Sequence, residues 1–277
     1  MTNLPLQPRF ANAAQLSARR AKDARGVKTA AAPRPDNAVL RATAMRAVLQ
    51  AQQWFASFGL GTNDGVRAAD IVITHKGLLN SDTSSNPSWM LDGRRTIRLG
   101  DFKGTNDALR ADIVEHEYSH GVIERYITAK TPEANALNEA LADVFAVAIE
   151  NRDLDVDGRS LATGEGIWQI SQVPVNGFGS SDNGGEHAMM GIATHPAYVV
   201  ASQCGRPAMA AIYMRAMTNH VPAGAQNFAG FALATIQAAA ELYGTQSVEY
   251  RAIWQGWNEV GLTRDTIAQR LSMSAGF

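Results

Sequence analysis

Two histidines four residues apart, with a glutamate after the first, make His116-Glu117-Tyr118-Ser119-His120 the densest chemistry in the chain. On a helix, i and i+4 spacing sets both imidazoles on one face, where they can grip a single ion with Glu117 beside them. Glu139 follows His120 by 19 residues, inside the run Asn138-Glu139-Ala140-Leu141-Ala142-Asp143. Glu139 and Asp143 are again i and i+4, so they point the same way. A catalytic zinc takes three protein ligands and keeps one position open. Glu139 can be the third ligand, and Asp143 can accept the spare N–H of a ligating histidine and fix its tautomer. The neighbours Ala140, Leu141, Ala142, Val144, Phe145 and Ala146 argue that these carboxylates are buried, and buried carboxylates need partners. Downstream, Asp182-Asn183-Gly184-Gly185-Glu186-His187 offers a third histidine at the mouth of a helix, after a glycine turn. Asp182 is close enough in sequence to fold back on that ring and hold it charged.

Periodicity supplies the elements that would carry these residues. Leu40, Ala44, Ala47, Val48, Ala51, Phe55 and Phe58 recur at three- and four-residue steps, predicting a helix from Asn37 with a stop at Gly59. Ala69–His75, with Ile71, Val72 and Ile73, reads as a short strand, and Ser81–Ser88 as a polar loop. Trp89–Asp101 reads as a hairpin with Asp92-Gly93 at its turn and Ile97 and Leu99 on the return. Beyond Asn106 nearly everything is helical: 107–127, 132–151, 187–203, 207–220, 226–243, 246–260 and a short last helix, with Gly205, Pro222 and Gly244 as breakers. The stretch 151–187 is glycine-rich and loop-like. The outline is α+β. A basic irregular arm spans 1–37, and a small mixed part with a short sheet and a helix spans 38–126, ending in the His116–His120 helix. A mostly helical domain spans 127–277, with a cleft expected between it and the mixed part.

Composition narrows the class. With 277 residues, 45% hydrophobic and 18% charged, the chain can bury a sizeable core, and wholesale disorder is excluded. A net charge of −1 gives no global field for nucleic acid or an anionic membrane surface. No apolar stretch approaches the ~20 residues that span a bilayer. A single cysteine, Cys204, rules out an internal disulfide framework. Charge is uneven: residues 1–35 hold seven Arg or Lys against Asp23 alone, a local +6 that leaves −7 for the remainder. This segment has no apolar run of signal-peptide type, and its Arg-rich, acid-poor composition only superficially matches a transit peptide.

In order and spacing the three motifs resemble the thermolysin family of zinc endopeptidases, over roughly residues 38–277. The likeness extends to Asn86-Pro87-Ser88-Trp89 with Gly100-Asp101, similar to that family's substrate-binding edge strand, and to Phe228–Leu262, similar to its terminal helices. Residues 1–37 look like a shortened version of its N-terminal sheet region. The resemblance implies a thermolysin-like fold and one catalytic Zn2+ on His116, His120 and Glu139. It also implies that Glu117 acts as general base, that His187 stabilises the oxyanion with Asp182 orienting it, and that Asp143 supports His116. Asn86, Pro87 and Trp89 would hold the peptide main chain. The implied function is hydrolysis of peptide bonds in proteins by a metal-activated water; the alternative is a zinc-retaining peptide-binding or effector module that hydrolyses little. A monomer acting on peptide or protein substrates is expected. Since this chain shows no signal peptide while the family default is secretion, either leaderless export or a cytoplasmic location is expected.

Three departures from the family pattern stand out. No arginine lies between Ser171 and Ser181, where the family places one that binds the substrate carbonyl. The position of a tyrosine that contacts the oxyanion falls near Lys130-Thr131. The family's double calcium site is half kept: Asp112 and Glu150 match ligands, but Gln169 and Gln172 replace carboxylates. Asp153, Asp155 and Asp157 have the spacing of a calcium loop, without a glutamate at its twelfth position, so a Ca2+ site or a plain acidic turn are both open.

Overall fold

The apolar spacing of residues 40–55 becomes a helix, α1 (Asn37–Ser57), in a computed structural model of the chain. Asp36 caps it, its Oδ1 accepting from Ala38 N at 3.0 Å. The described residues are 36–61, 69–73, 87–90, 95–100, 107–150, 154–156, 159–164, 166–173, 178, 182–221 and 226–274. Residues 1–35 of the N-terminal arm, Asn86, the Asp92-Gly93 turn, Asp153 and Asp157 therefore lie outside them, and the arm's last two residues cap and begin α1. Leu40, Ala44, Ala47, Val48, Ala51 and Phe55 are buried as their period predicts. Phe58 is not: it falls past the last helical turn and lies exposed against Trp54.

Three short strands follow, β1 (Asp70–Ile73), β2 (Ser88–Met90) and β3 (Thr96–Leu99), in the order β1-β3-β2. β2 and β3 are antiparallel with Trp89 opposite Ile97, as the hairpin pattern predicts. β1 joins β3 in parallel, Ile71 opposite Ile97, which leaves β2 at one end of the sheet among the described residues. The end of β3 is tied to the next segment by two hydrogen bonds, Gly100 N to Asp107 Oδ2 at 3.0 Å and Asp107 N to Gly100 O at 2.8 Å.

That tie delivers the chain into α2 (Ala111–Ile123). The single helix expected over 107–127 is thus divided into a 3-10 turn (Asp107–Leu109), α2 and a closing turn. Gln226 fixes the closing turn: its Oε1 accepts from Thr128 N at 2.8 Å and Ala129 N at 2.6 Å, and its Nε2 donates to Tyr126 O at 2.7 Å. α2 packs along α3 (Pro132–Glu150), the most continuously buried helix of the core. A two-residue ladder, β4 (Asp155–Val156) with β5 (Arg159–Ser160), follows α3.

Helices α4 (Asp182–Met189), α5 (Gly191–Cys204), α6 (Arg206–Arg215), α7 (Phe228–Tyr243), α8 (Val248–Glu259) and α9 (Arg264–Ser274) complete the molecule. α6 runs into a π turn, Ala216–His220. The helix expected over 187–203 is divided at Met190, because Ala188 O accepts from Ile167 N at 2.9 Å instead of from the next helical turn. Residues 36–277 cluster as one unit. Among the described residues, no helix is long and apolar enough to cross a membrane. The architecture is α+β, a small sheet with one long helix followed by a helical domain.

One contact locks the sheet onto α2. A Cβ added at Gly121 would lie 2.4 Å from Cζ2 of Trp89, so the indole occupies the space a side chain would need. Replacing a helical glycine by alanine normally gains about 1 kcal/mol in helix propensity, whereas overpacking costs about 1–3 kcal/mol. The collision should dominate, so Gly121→Ala should lower stability by about 1–2 kcal/mol in chemical denaturation. A more stable variant would show that Trp89 does not press on α2.

Candidate metal centre

α2 and α3 bring the two motifs face to face. His116 and His120, one turn apart on α2, place their Nε2 atoms 3.0 Å from each other. Glu139 on α3 reaches both: Oε2 is 3.3 Å from His116 Nε2 and Oε1 is 3.6 Å from His120 Nε2. The far nitrogens are committed elsewhere. His116 Nδ1 donates to Asp143 Oδ1 at 2.7 Å, and His120 Nδ1 donates to Asn138 Oδ1 at 2.5 Å. Each ring is therefore held with Nε2 directed at the same point.

These residues fit a tetrahedral zinc. Ligand atoms ~2.0–2.1 Å from one tetrahedral ion sit roughly 3.3 Å from each other, and the separations of 3.0, 3.3 and 3.6 Å bracket that value. Glu139 Oε2 gives the independent sign: it is buried and makes no hydrogen bond. His116 and His187 face it at 3.3 and 3.4 Å without a hydrogen bond, and a cation would supply the direct partner that a buried carboxylate oxygen needs. His116, His120 and Glu139 would be the residues that hold it.

His187 completes the wall. Its Nε2 lies 3.4 Å from Glu139 Oε2, and its Nδ1 donates to Asp182 Oδ1 at 2.6 Å. Asp182 Oδ2 also accepts from His187 N at 3.0 Å and Ala188 N at 3.3 Å, so one side chain caps the helix and orients the ring. The turn that allows this needs φ of +89° at both Gly184 and Gly185. A Cβ there would meet Pro132 and Phe178 respectively, so the turn also seats against the start of α3. His187 lies inside the span of α4, but the two glycines with positive φ just before Glu186 reproduce the glycine turn the sequence predicts. At 33% side-chain exposure, His187 is the open member of a group otherwise mostly buried.

Charge reinforces the geometry. Burial works to raise the Glu139 carboxyl, yet His120, His116 and His187 around it hold it well below the usual carboxylate range. Burial likewise opposes the charged form of His116, but Asp143 and Glu139 overcome it and raise the imidazole to about 10. Glu139 and Asp182 raise His187 to about 10 against its own burial. Asp143 is held below its ordinary value, burial being outweighed by Arg159 and His116.

The remaining site residues divide. Glu117 is buried on α2, next to His116 in sequence. Pro87 is half-buried beside β2, and Trp89 on β2 packs on α2 at Gly121. Near the tyrosine's expected position, Thr131 Oγ1 accepts from Ala134 N at 3.2 Å and so caps α3. Asp112 is engaged by Arg110, whose Nε and Nη2 lie 3.0 and 2.5 Å from its two oxygens. Gln169 and Gln172 close a 3-10 turn, and Gln169 Nε2 donates to Glu259 O at 2.5 Å. Among the described residues, the groups able to hold a metal are His116-His120-Glu139 and Glu139-Glu186-His187; Asp112, Glu150 and Asp155 form none.

Three residues at the centre were not assigned a role from the sequence. Asn138 carries a usable signal, because an asparagine in an apolar helix needs a partner. Glu186, with Oε1 3.9 Å from His187 Nδ1, sits in the third motif. Arg159, on Asp143, carries no local signal because its contact depends on how β5 meets α3. The raised His116 predicts a proton linkage: a cation must displace the proton that Glu139 and Asp143 hold there. Zinc affinity should climb about tenfold per pH unit between pH 6.5 and 8, measured by chelator competition. A flat profile would mean that no protonated ligand is displaced.

Comparison with known proteins agrees with this geometry. Residues 169–262 match the model of the thermolysin metallopeptidase alpha-helical domain. An extracellular elastase of Staphylococcus epidermidis is 30% identical over 223 residues, 74% of this chain and 43% of that protein. A bacillolysin of Bacillus cereus is 32% identical over 179 residues, 54% of this chain and 31% of that protein. The chain thus spans less than half the length of these relatives. Among solved structures, the precursor of protealysin, a metalloproteinase from Serratia proteamaculans, superposes with a TM-score of 0.65 at 19% identity, covering 83% of this chain and 81% of that one. The motifs, the fold and these likenesses lead to one conclusion: the chain belongs to the thermolysin family of metallopeptidases.

Proposed function

We propose that the chain is a zinc-dependent endopeptidase that hydrolyses peptide bonds of proteins or peptides. The observation that carries this reading is the convergence of His116, His120 and Glu139, with the Glu139 Oε2 atom buried among imidazoles and making no hydrogen bond. Bound there, zinc would supply a Lewis acid that makes water nucleophilic at neutral pH. Glu117, buried on the same helix, would serve as the base, taking a proton at its carboxylate and returning it to the leaving amine, a role worth ~10²–10⁴-fold. His187, its Nδ1 held by Asp182, would donate from Nε2 to the negative charge that develops on the scissile carbonyl oxygen. Asp143 and Asn138 keep His116 and His120 in register. β2, with Trp89 on it and Asn86 and Pro87 preceding it, stands at one end of the described strand order, where an extended peptide would align.

A binding module that keeps the metal but hydrolyses little would have no use for Glu117. Glu117→Gln should therefore keep one zinc per chain and its fold while losing at least ~10²-fold in peptidase rate. Parent-like cleavage by that variant would remove Glu117 from the mechanism. Glu139→Ala should lose zinc instead, and unchanged zinc content would take Glu139 out of the ligand set. A parent chain that holds zinc but cleaves nothing favours the binding module.

A further inference from the structure

Arg159 reaches the metal centre from outside all three motifs. It lies on β5 opposite Val156, and the buried side chains of Val156 and Leu161 anchor the backbone on either side of it. The Leu161 N–H closes the platform on Leu154 O at 3.0 Å. From there the guanidinium meets Asp143 edge-on, with Nε 3.1 Å from Oδ2 and Nη2 2.8 Å from Oδ1. Asp143 is 1% exposed, and its Oδ1 is the same atom that accepts from His116 Nδ1. The arginine side chain is itself 16% exposed, so little water competes for the pair.

An imidazole N–H alone leaves a carboxylate free to rotate about its Cβ–Cγ bond. A planar fork on both oxygens removes that freedom, because two parallel N–H···O bonds fix the carboxylate plane. Fixing the plane fixes the direction in which Oδ1 meets the His116 ring. That in turn sets where His116 Nε2 stands relative to His120 and Glu139. The geometry points to Arg159 as a positioning residue for the metal site, acting through Asp143 on His116 without touching metal or substrate. This inference rests on the zinc reading above. It makes the β4–β5 ladder part of the metal site, although none of the three motifs that build the centre lies on it.

The test is a double-mutant cycle read as zinc affinity by chelator competition at fixed pH, with cobalt(II) spectra and metal-free melting curves alongside. Arg159→Gln should weaken zinc roughly ten- to hundredfold, the usual effect of removing an outer partner of a ligand. It should also alter the cobalt d–d bands. Arg159→Lys should recover only part of the loss, because an ammonium cannot span both oxygens. In an Asp143→Asn background, Arg159→Gln should change affinity less than about twofold, since the path to His116 is already cut. Parent-like affinity and spectrum in Arg159→Gln, or an equal loss in both backgrounds, overturns the inference. A lowered melting temperature with unchanged zinc affinity also overturns it, leaving Arg159 as a staple for the ladder. Should Arg159→Gln not fold, Arg159→Lys in the two backgrounds carries the same comparison. A parent chain that binds no zinc fails the metal reading itself, and the inference with it.

Discussion

A glutamate side chain buried among three imidazoles, with one oxygen hydrogen-bonded to nothing, is a costly thing to build into a protein core. Glu139 is that side chain, and much of the surrounding structure keeps it in place. α3 is buried on nearly every side around it, which fixes its backbone. Asp143 and Asn138, on the same helix, turn two histidines of α2 toward it. His187 closes from the far side, through Asp182 and a glycine turn that seats on Pro132 at the head of α3. Without a cation, the Glu139 charge is met only by imidazoles at 3.3–3.6 Å, and its Oε2 atom makes no hydrogen bond.

The other elements serve as positioning devices for that centre. The sheet is too small to be stable alone, and it is held on α2 where Trp89 fills the gap beside Gly121. Gln226 fixes the backbone that leaves α2, at three hydrogen bonds from one buried amide. Glu133 joins the first turn of α3 to later helices, accepting from Phe228 N at 2.9 Å and pairing with Arg270 at 2.5 Å. Where the resemblance expects calcium ligands, this chain makes internal contacts: Arg110 on Asp112, and amide hydrogen bonds from Gln169.

The parts of the site that could be read from the sequence are those set by local period. His116 and His120, or Glu139 and Asp143, share a face because a helix repeats every 3.6 residues, and no tertiary information is needed. The burial of α1 was legible on the same ground, up to Phe58, where the helix ends and the period loses its meaning. What the sequence hid depends on packing between distant segments. The parallel pairing of β1 with β3, the break at Met190 forced by Ile167, and the clamp of Gln226 are contacts of this kind. Arg159 is the clearest case. The interval Ser171–Ser181, where the resemblance expects an arginine, holds none, while the guanidinium at the centre comes from β5, upstream of that interval.

X-ray absorption at the zinc edge of the metal-loaded protein addresses the centre most directly, because it reads the ligands and not their consequences. The structure predicts a four-coordinate ion with two imidazoles, one carboxylate and one further light atom, at ~2.0–2.2 Å. A six-coordinate oxygen shell, or a single imidazole, would contradict the assignment of His116, His120 and Glu139.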